Sequence, residues 1–179
     1  MTELTHVLWL ESAIGKEMTD AEARELLLLS RRESYKAGEA LFKEGDAAEE
    51  FFLIVEGDID VLKRGDGEKT SVLATLSQGA ILGEMSLLTQ ERRSATARAK
   101  TDAMVLRVRW EDFQSFLTDS PTGAYKLIYA LARLLAARLK RINAKVAELT
   151  TTENTNPGPD PKLEEFATFK QKLLSDWSF

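Results

Sequence analysis

The chain has 179 residues, 44% of them hydrophobic, which is enough to bury a core without covalent staples. It contains no cysteine, so disulfides and thiolate metal sites are excluded, and its one histidine, His6, cannot by itself build a histidine-rich metal centre. A net charge of −5 argues against the whole molecule pairing with nucleic acid, and no apolar run reaches the ~20 residues that span a bilayer.

The opening stretch, MTELTHVLWLESAIGKEM, carries acidic residues and lacks the basic start of a secretory signal. A soluble, cytoplasmic protein is expected. Residues 1–33 read as a helical segment. Thr19-Asp20 is a fitting N-cap with Glu22 in the first turn, and Leu26, Leu27, Leu28 and Leu29 give this helix more apolar surface than one stripe needs.

Across residues 34–109 the period changes. Short β-branched or aromatic runs, FFLIV and IDVL, and the alternating SVLATL are separated by turns at Gly45-Asp46, Glu56-Gly57-Asp58 and Gly65-Asp66-Gly67. SATARAKTDAMVLRVRW gives two more strands. Short strands at roughly even spacing point to an antiparallel sandwich, barrel or jelly roll.

The pattern turns helical again over residues 110–149. WEDFQSFLTDSP predicts a short helix stopping near Pro121, and a long helix follows from about Thr122 to Leu149. Ile128, Leu135, Ile142 and Leu149 are spaced by sevens, a coiled-coil-like seam that fits a dimer helix or a helix lying along its own barrel. Residues 150–161, rich in Pro and Gly, read as a linker. Residues 162–179 place Leu163, Phe166, Phe169, Leu173 and Trp177 near helical spacing. That predicts a short amphipathic helix docking on its own chain, on a dimer partner or on another protein.

The most specific stretch is LGEMSLLTQERRSATARA, residues 82 to 99. Gly83 permits a tight turn and close backbone approach to a ligand. EMSLL can form one helical turn whose first N–H groups lack partners and favour an anion. Arg93 offers a planar fork of donors suited to phosphate oxygens, and Ser94 and Ala95 keep the approach open. Glu84 would repel a phosphate unless given its own donor, such as a ribose 2′-OH. Charge-assisted bonds of this kind contribute roughly 1.5–3 kcal/mol each. The plainer reading stays open: Gly83 as a strand-end turn, Glu84 as an exposed helix-start residue, and Arg92 and Arg93 as a solvated pair.

GEMSLLTQERRSATARA resembles the phosphate-binding cassette of cyclic-nucleotide-binding domains, found in catabolite activators, kinase regulatory subunits and gated channels. YKAGEALFKEGDAAEEFFLIVEGDIDVL resembles the first strands of that family, and the helix after WEDFQSFL resembles its lid and dimer helix; together these cover about residues 20 to 149. The resemblance implies an α+β fold, an antiparallel jelly-roll (double-stranded β-helix) barrel flanked by N-terminal helices and a long C-terminal helix. It implies a ligand set of Leu82, Gly83, Glu84, Met85, Ser86, Arg93, Ser94 and Ala95, with Glu84 on the ribose 2′-OH and Arg93 on the cyclic phosphate. Asn143 would reach the base from the long helix, although Ile142 departs from the polar pair of the activators. Arg92 sits where kinase-type cassettes often carry proline; the Ser-Ala that follows favours Arg93.

No helix-turn-helix segment is expected beyond the long helix. Lys162, Lys170 and Lys172 are outnumbered by Glu153, Asp160, Glu164, Glu165 and Asp176, too acidic a tail for a DNA reader. The expectation is therefore a stand-alone receptor of cAMP rather than cGMP. It would be a homodimer acting on an unidentified effector protein, with no catalysis, no metal, no cofactor, and neither nucleic acid nor membrane as partner. A degenerate domain kept as an interaction module and a cyclic dinucleotide sensor are the alternatives. A cupin-like metalloenzyme is disfavoured by the single histidine.

Overall fold

The computed structural model describes residue 7 and residues 9–12, 14–65 and 70–152. The chain divides into two compact units, Met1–Ala136 and Ala137–Phe179. Both sheets and the cassette lie in the first.

Helix α1, Asp20–Leu29, begins with a capping box: Thr19 Oγ1 accepts the Glu22 N–H at 3.3 Å, and Glu22 Oε2 accepts the Thr19 N–H at 2.7 Å. Of its four consecutive leucines only Leu26 is fully buried, Leu27 and Leu29 pack partly, and Leu28 is 85% exposed. The expected helical segment through residue 33 is corrected here. Strand β1, Ser30–Tyr35, starts directly after the helix and pairs antiparallel with residues 103–108. Its Ser-Arg-Arg-Glu run has no apolar alternation, because β1 lies at the edge of its sheet with Arg31 and Arg32 in solvent.

The remaining strands are β2 (Ala40–Phe42), β3 (Glu50–Glu56), β4 (Ile59–Arg64), β5 (Thr70–Leu76), β6 (Ile81–Leu82), β7 (Thr96–Ala99) and β8 (Ala103–Arg109). They form two four-stranded antiparallel sheets, ordered β1-β8-β3-β6 and β2-β7-β4-β5, which is the expected jelly-roll architecture. Strand β3 explains its own unbroken apolar run. Phe51 and Leu53 join a cluster with Trp9, Leu26, Phe113, Phe116 and Leu127 from the helices. Phe52 and Ile54 join the other cluster, with Ile59, Ala97, Ala99 and Val105 from both sheets. With a period of two, a strand covered on both faces is apolar at every position.

A six-residue helix, α2 (Glu84–Thr89), interrupts the strands after β6. Helix α3 (Trp110–Asp119) stops before Pro121 as expected, and α4 runs from Pro121 to Thr152. Proline suits the first helical position because its missing N–H has no intrahelical partner there. The helix extends three residues into the stretch read as a linker; Thr150, Thr151 and Thr152 are weak helix formers but not breakers. The expected C-terminal helix, residues 162–179, and His6 lie outside the described residues. Among the described residues no helix is long and apolar enough to cross a membrane.

Candidate functional site

The cassette is organised around a buried arginine. Strand β6 pairs Leu82 with Phe52 of β3, and the chain then turns at Gly83 with φ +83°, in the left-handed region where glycine is favoured. This turn directs Glu84 inward, where it is 1% exposed, and starts α2. The amides of Met85 and Ser86 belong to the first turn, whose N–H groups have no partner within the helix. Ser86 is buried, and its hydroxyl donates to Arg92 O at a long 3.4 Å, whereas Met85 is half exposed.

Arg93 is 2% exposed. Its Nη1 donates to Gly83 O at 3.1 Å and its Nη2 to Glu50 O at 2.7 Å, with the Glu50 carboxylate 3.6 Å away. The guanidinium lies over the Phe42 ring at 4.2 Å, a cation–π contact. Burial pushes its pKa below the ordinary arginine value, while Glu50, Asp46 and Glu84 pull it back up; a guanidinium stays charged under such a shift. Its buried Nε–H has no hydrogen-bond partner. An unpartnered donor on a buried cation is costly, and a phosphate oxygen would relieve that cost.

The main chain of Arg93 is fixed from both sides. Its N–H donates to Asp46 O at 2.9 Å, and its C=O accepts the Gly45 N–H at 2.9 Å. Ala95 is buried and Ser94 exposed beside it. Arg92, the rival cation, is exposed and spends Nη1 on Gly45 O at 2.8 Å. Of the two arginines, Arg93 is therefore the one built into the cassette.

The structure thus brings Leu82, Gly83, Glu84, Met85, Ser86, Arg93, Ser94 and Ala95 into one region of the first unit. Asn143 lies in the second unit, exposed on α4, as does Ile142. Sequence reasoning missed Phe42 and Glu50; it read the turn at Gly45-Asp46 but not that this turn holds the main chain of Arg93.

The family model for the cyclic nucleotide-binding domain matches residues 32–120. The chain belongs to the cyclic nucleotide-binding domain family. The cyclic AMP receptor protein of Thermus thermophilus is 32% identical over 126 residues, which cover 70% of this chain and 56% of that protein. Glutaminase 1 of Bradyrhizobium diazoefficiens is 34% identical over 142 residues, 79% of this chain but 22% of the enzyme. In the crystal structure of the Thermus thermophilus catabolite activator protein, 63% of that chain superposes on 78% of this one, with a TM-score of 0.69 and 29% identity. The chain spans little more than half the length of the cyclic AMP receptor protein it matches. Cyclic nucleotide-binding domains are regulatory rather than catalytic.

Proposed function

We propose that this cyclic nucleotide-binding domain is a receptor for cAMP, with cGMP as the second ligand, that acts through protein contacts and catalyses nothing. The observation that carries this reading is the buried Arg93 with its unpartnered Nε–H beside the buried Glu84. A buried cation with an unpartnered Nε–H and a carboxylate suited to a hydroxyl together match a phosphate and a neighbouring ribose 2′-OH on one molecule. The base contact from Asn143, a homodimer through α4, an effector protein and a cytoplasmic location complete the reading. Ligand would shift a pre-existing equilibrium of the long helix by contacts that differ between its two states.

Thermal unfolding of nucleotide-free protein with cAMP, cGMP and cyclic di-GMP tests the reading. A ligand present at 100 times its Kd adds about 2.7 kcal/mol of stability. The melting temperature is expected to rise with cAMP first, with cGMP less and with the dinucleotide not at all. A melting temperature indifferent to all three would identify a domain that keeps the fold and has lost the ligand.

A further inference from the structure

We propose that Lys63 and Glu44 form a latch that holds the arginine segment of the cassette in place, which makes Lys63 a positioning residue for ligand binding. The effect on affinity rests on the receptor reading above; the latch itself does not.

The segment bearing Arg93 hangs from the turn over residues 43–46. That turn is closed on itself: the Lys43 N–H donates to Asp46 Oδ2 at 2.8 Å and the Asp46 N–H to Lys43 O at 3.1 Å. It grips the cassette through both main-chain groups of Arg93, and the Glu44 N–H donates to Thr96 Oγ1 at 3.0 Å. Yet the turn extends from β2, a three-residue edge strand whose pairing with β7 carries a register shift. Such a short, irregular edge gives poor anchorage.

Lys63 supplies the missing anchor from β4, an inner strand flanked by β7 and β5. Its Nζ donates to Glu44 Oε1 at 2.7 Å and to Ser94 O at 2.7 Å. Glu44 Oε2 accepts the Arg64 N–H at 3.2 Å, so the turn meets β4 at two adjacent residues. One ammonium therefore ties the residue next to Arg93 to the turn that clamps Arg93. The hydrogen bond from Lys63, followed by that from Arg64, holds the Glu44 carboxyl below its ordinary pKa.

The two side chains are 45% and 31% exposed, and an ion pair this open to water adds little to global stability. Its role is local order, and that separates the latch from a purely structural contact: its loss should loosen residues 92–96 and leave the melting temperature almost unmoved.

Amide hydrogen exchange on the ligand-free full chain tests this, with Lys63→Met, Lys63→Arg, Glu44→Gln and the double variant Lys63→Met/Glu44→Gln. Lys63→Met is expected to speed exchange at Arg93 roughly tenfold through local opening. Lys63→Arg should restore protection, because it keeps charge and donors. The double variant should be little worse than Lys63→Met, since the Lys63–Glu44 pair is already lost and glutamine keeps an oxygen for the Arg64 N–H. Affinity for cAMP should fall in step with exchange. Unchanged exchange at Arg93 in Lys63→Met would overturn the latch, and so would exchange that rises uniformly over the barrel with a matching drop in melting temperature. If exchange rises locally as expected but the wild type takes up no cyclic nucleotide, the latch stands and the receptor reading fails.

Discussion

Arg93 and Gly83 meet across ten residues of chain: the guanidinium Nη1 donates to the Gly83 carbonyl at 3.1 Å, and a Cβ added to Gly83 would stand 2.6 Å from that same Nη1. Glycine is thus required twice, by the positive φ and by the approach of the arginine. Gly83→Ala forces either the backbone out of the left-handed region, at about 1–2 kcal/mol, or the guanidinium out of its place. Differential scanning calorimetry should show a lower melting temperature, by roughly 2–4 °C per kcal/mol for a chain of this size. Nucleotide affinity should fall further than stability, because it is Arg93 that moves.

Replacing Arg93 by lysine keeps the charge and loses the fork. Lysine offers a point charge and cannot reach Gly83 O and Glu50 O while also serving a phosphate. Arg93→Lys is expected to fold and to bind cAMP roughly 10–100-fold more weakly, the value of a lost charge-assisted bond. Equilibrium titration of the two proteins measures the ratio.

Glu84 is 1% exposed and lies close enough to Arg93 to raise its pKa. Its proposed partner is the ribose 2′-OH, and a modified ligand tests that directly. Wild-type protein should prefer cAMP to its 2′-deoxy analogue by roughly 10–100-fold, the value of a hydrogen bond to a charged group. Glu84→Gln should shrink that preference, and Glu84→Ala should remove it. An undiminished preference in Glu84→Ala would move the hydroxyl contact elsewhere.

The cap of α1 predicts an acid-sensitive step. Burial of Glu22 works to raise its pKa. The Thr19 N–H, the Lys126 ammonium 3.0 Å away and the Thr19 hydroxyl outweigh it, so the folded value lies below the ordinary 4.5. A carboxyl depressed on folding contributes stability that is fully present above its unfolded pKa and lost as pH falls through the folded one. Stability measured by urea unfolding should therefore decline below about pH 4.5, and Glu22→Gln should flatten that part of the profile. Thr19→Ala, which removes the other half of the box, should cost about 1 kcal/mol at neutral pH.

The seam on α4 is open in the single chain: Ile128 is 50% and Ile142 58% exposed. Two such residues, fourteen positions or two heptads apart in the series, fit a partner helix. Sedimentation is expected to give a dimer for the wild type and a monomer for Ile142→Glu, without loss of the barrel's circular dichroism.

What the sequence disclosed follows the range of the interactions involved. The cassette was legible because Gly83, Glu84, Arg93 and Ser94 lie within one short stretch and their chemistry points to one ligand. The capping box of α1 and the stop before Pro121 are equally local. By contrast, β1 was hidden because its Ser-Arg-Arg-Glu start has no period of two; only its pairing with β8 makes it a strand. Glu50, which caps the fork of Arg93 through its carbonyl, is forty-three residues away in the chain, and a backbone acceptor leaves no trace in residue type. Lys63 was hidden for the same reason: its partners, Glu44 and Ser94, are set by strand order.

The central claim, that Arg93 receives the phosphate of a cyclic nucleotide, is tested most directly by calorimetric titration of nucleotide-free protein, wild type beside Arg93→Glu, with circular dichroism to show that both are folded. The account predicts saturable heat with cAMP for the wild type at one site per chain, and none for the folded variant. Equal heats from both proteins would contradict it and move the site away from the cassette.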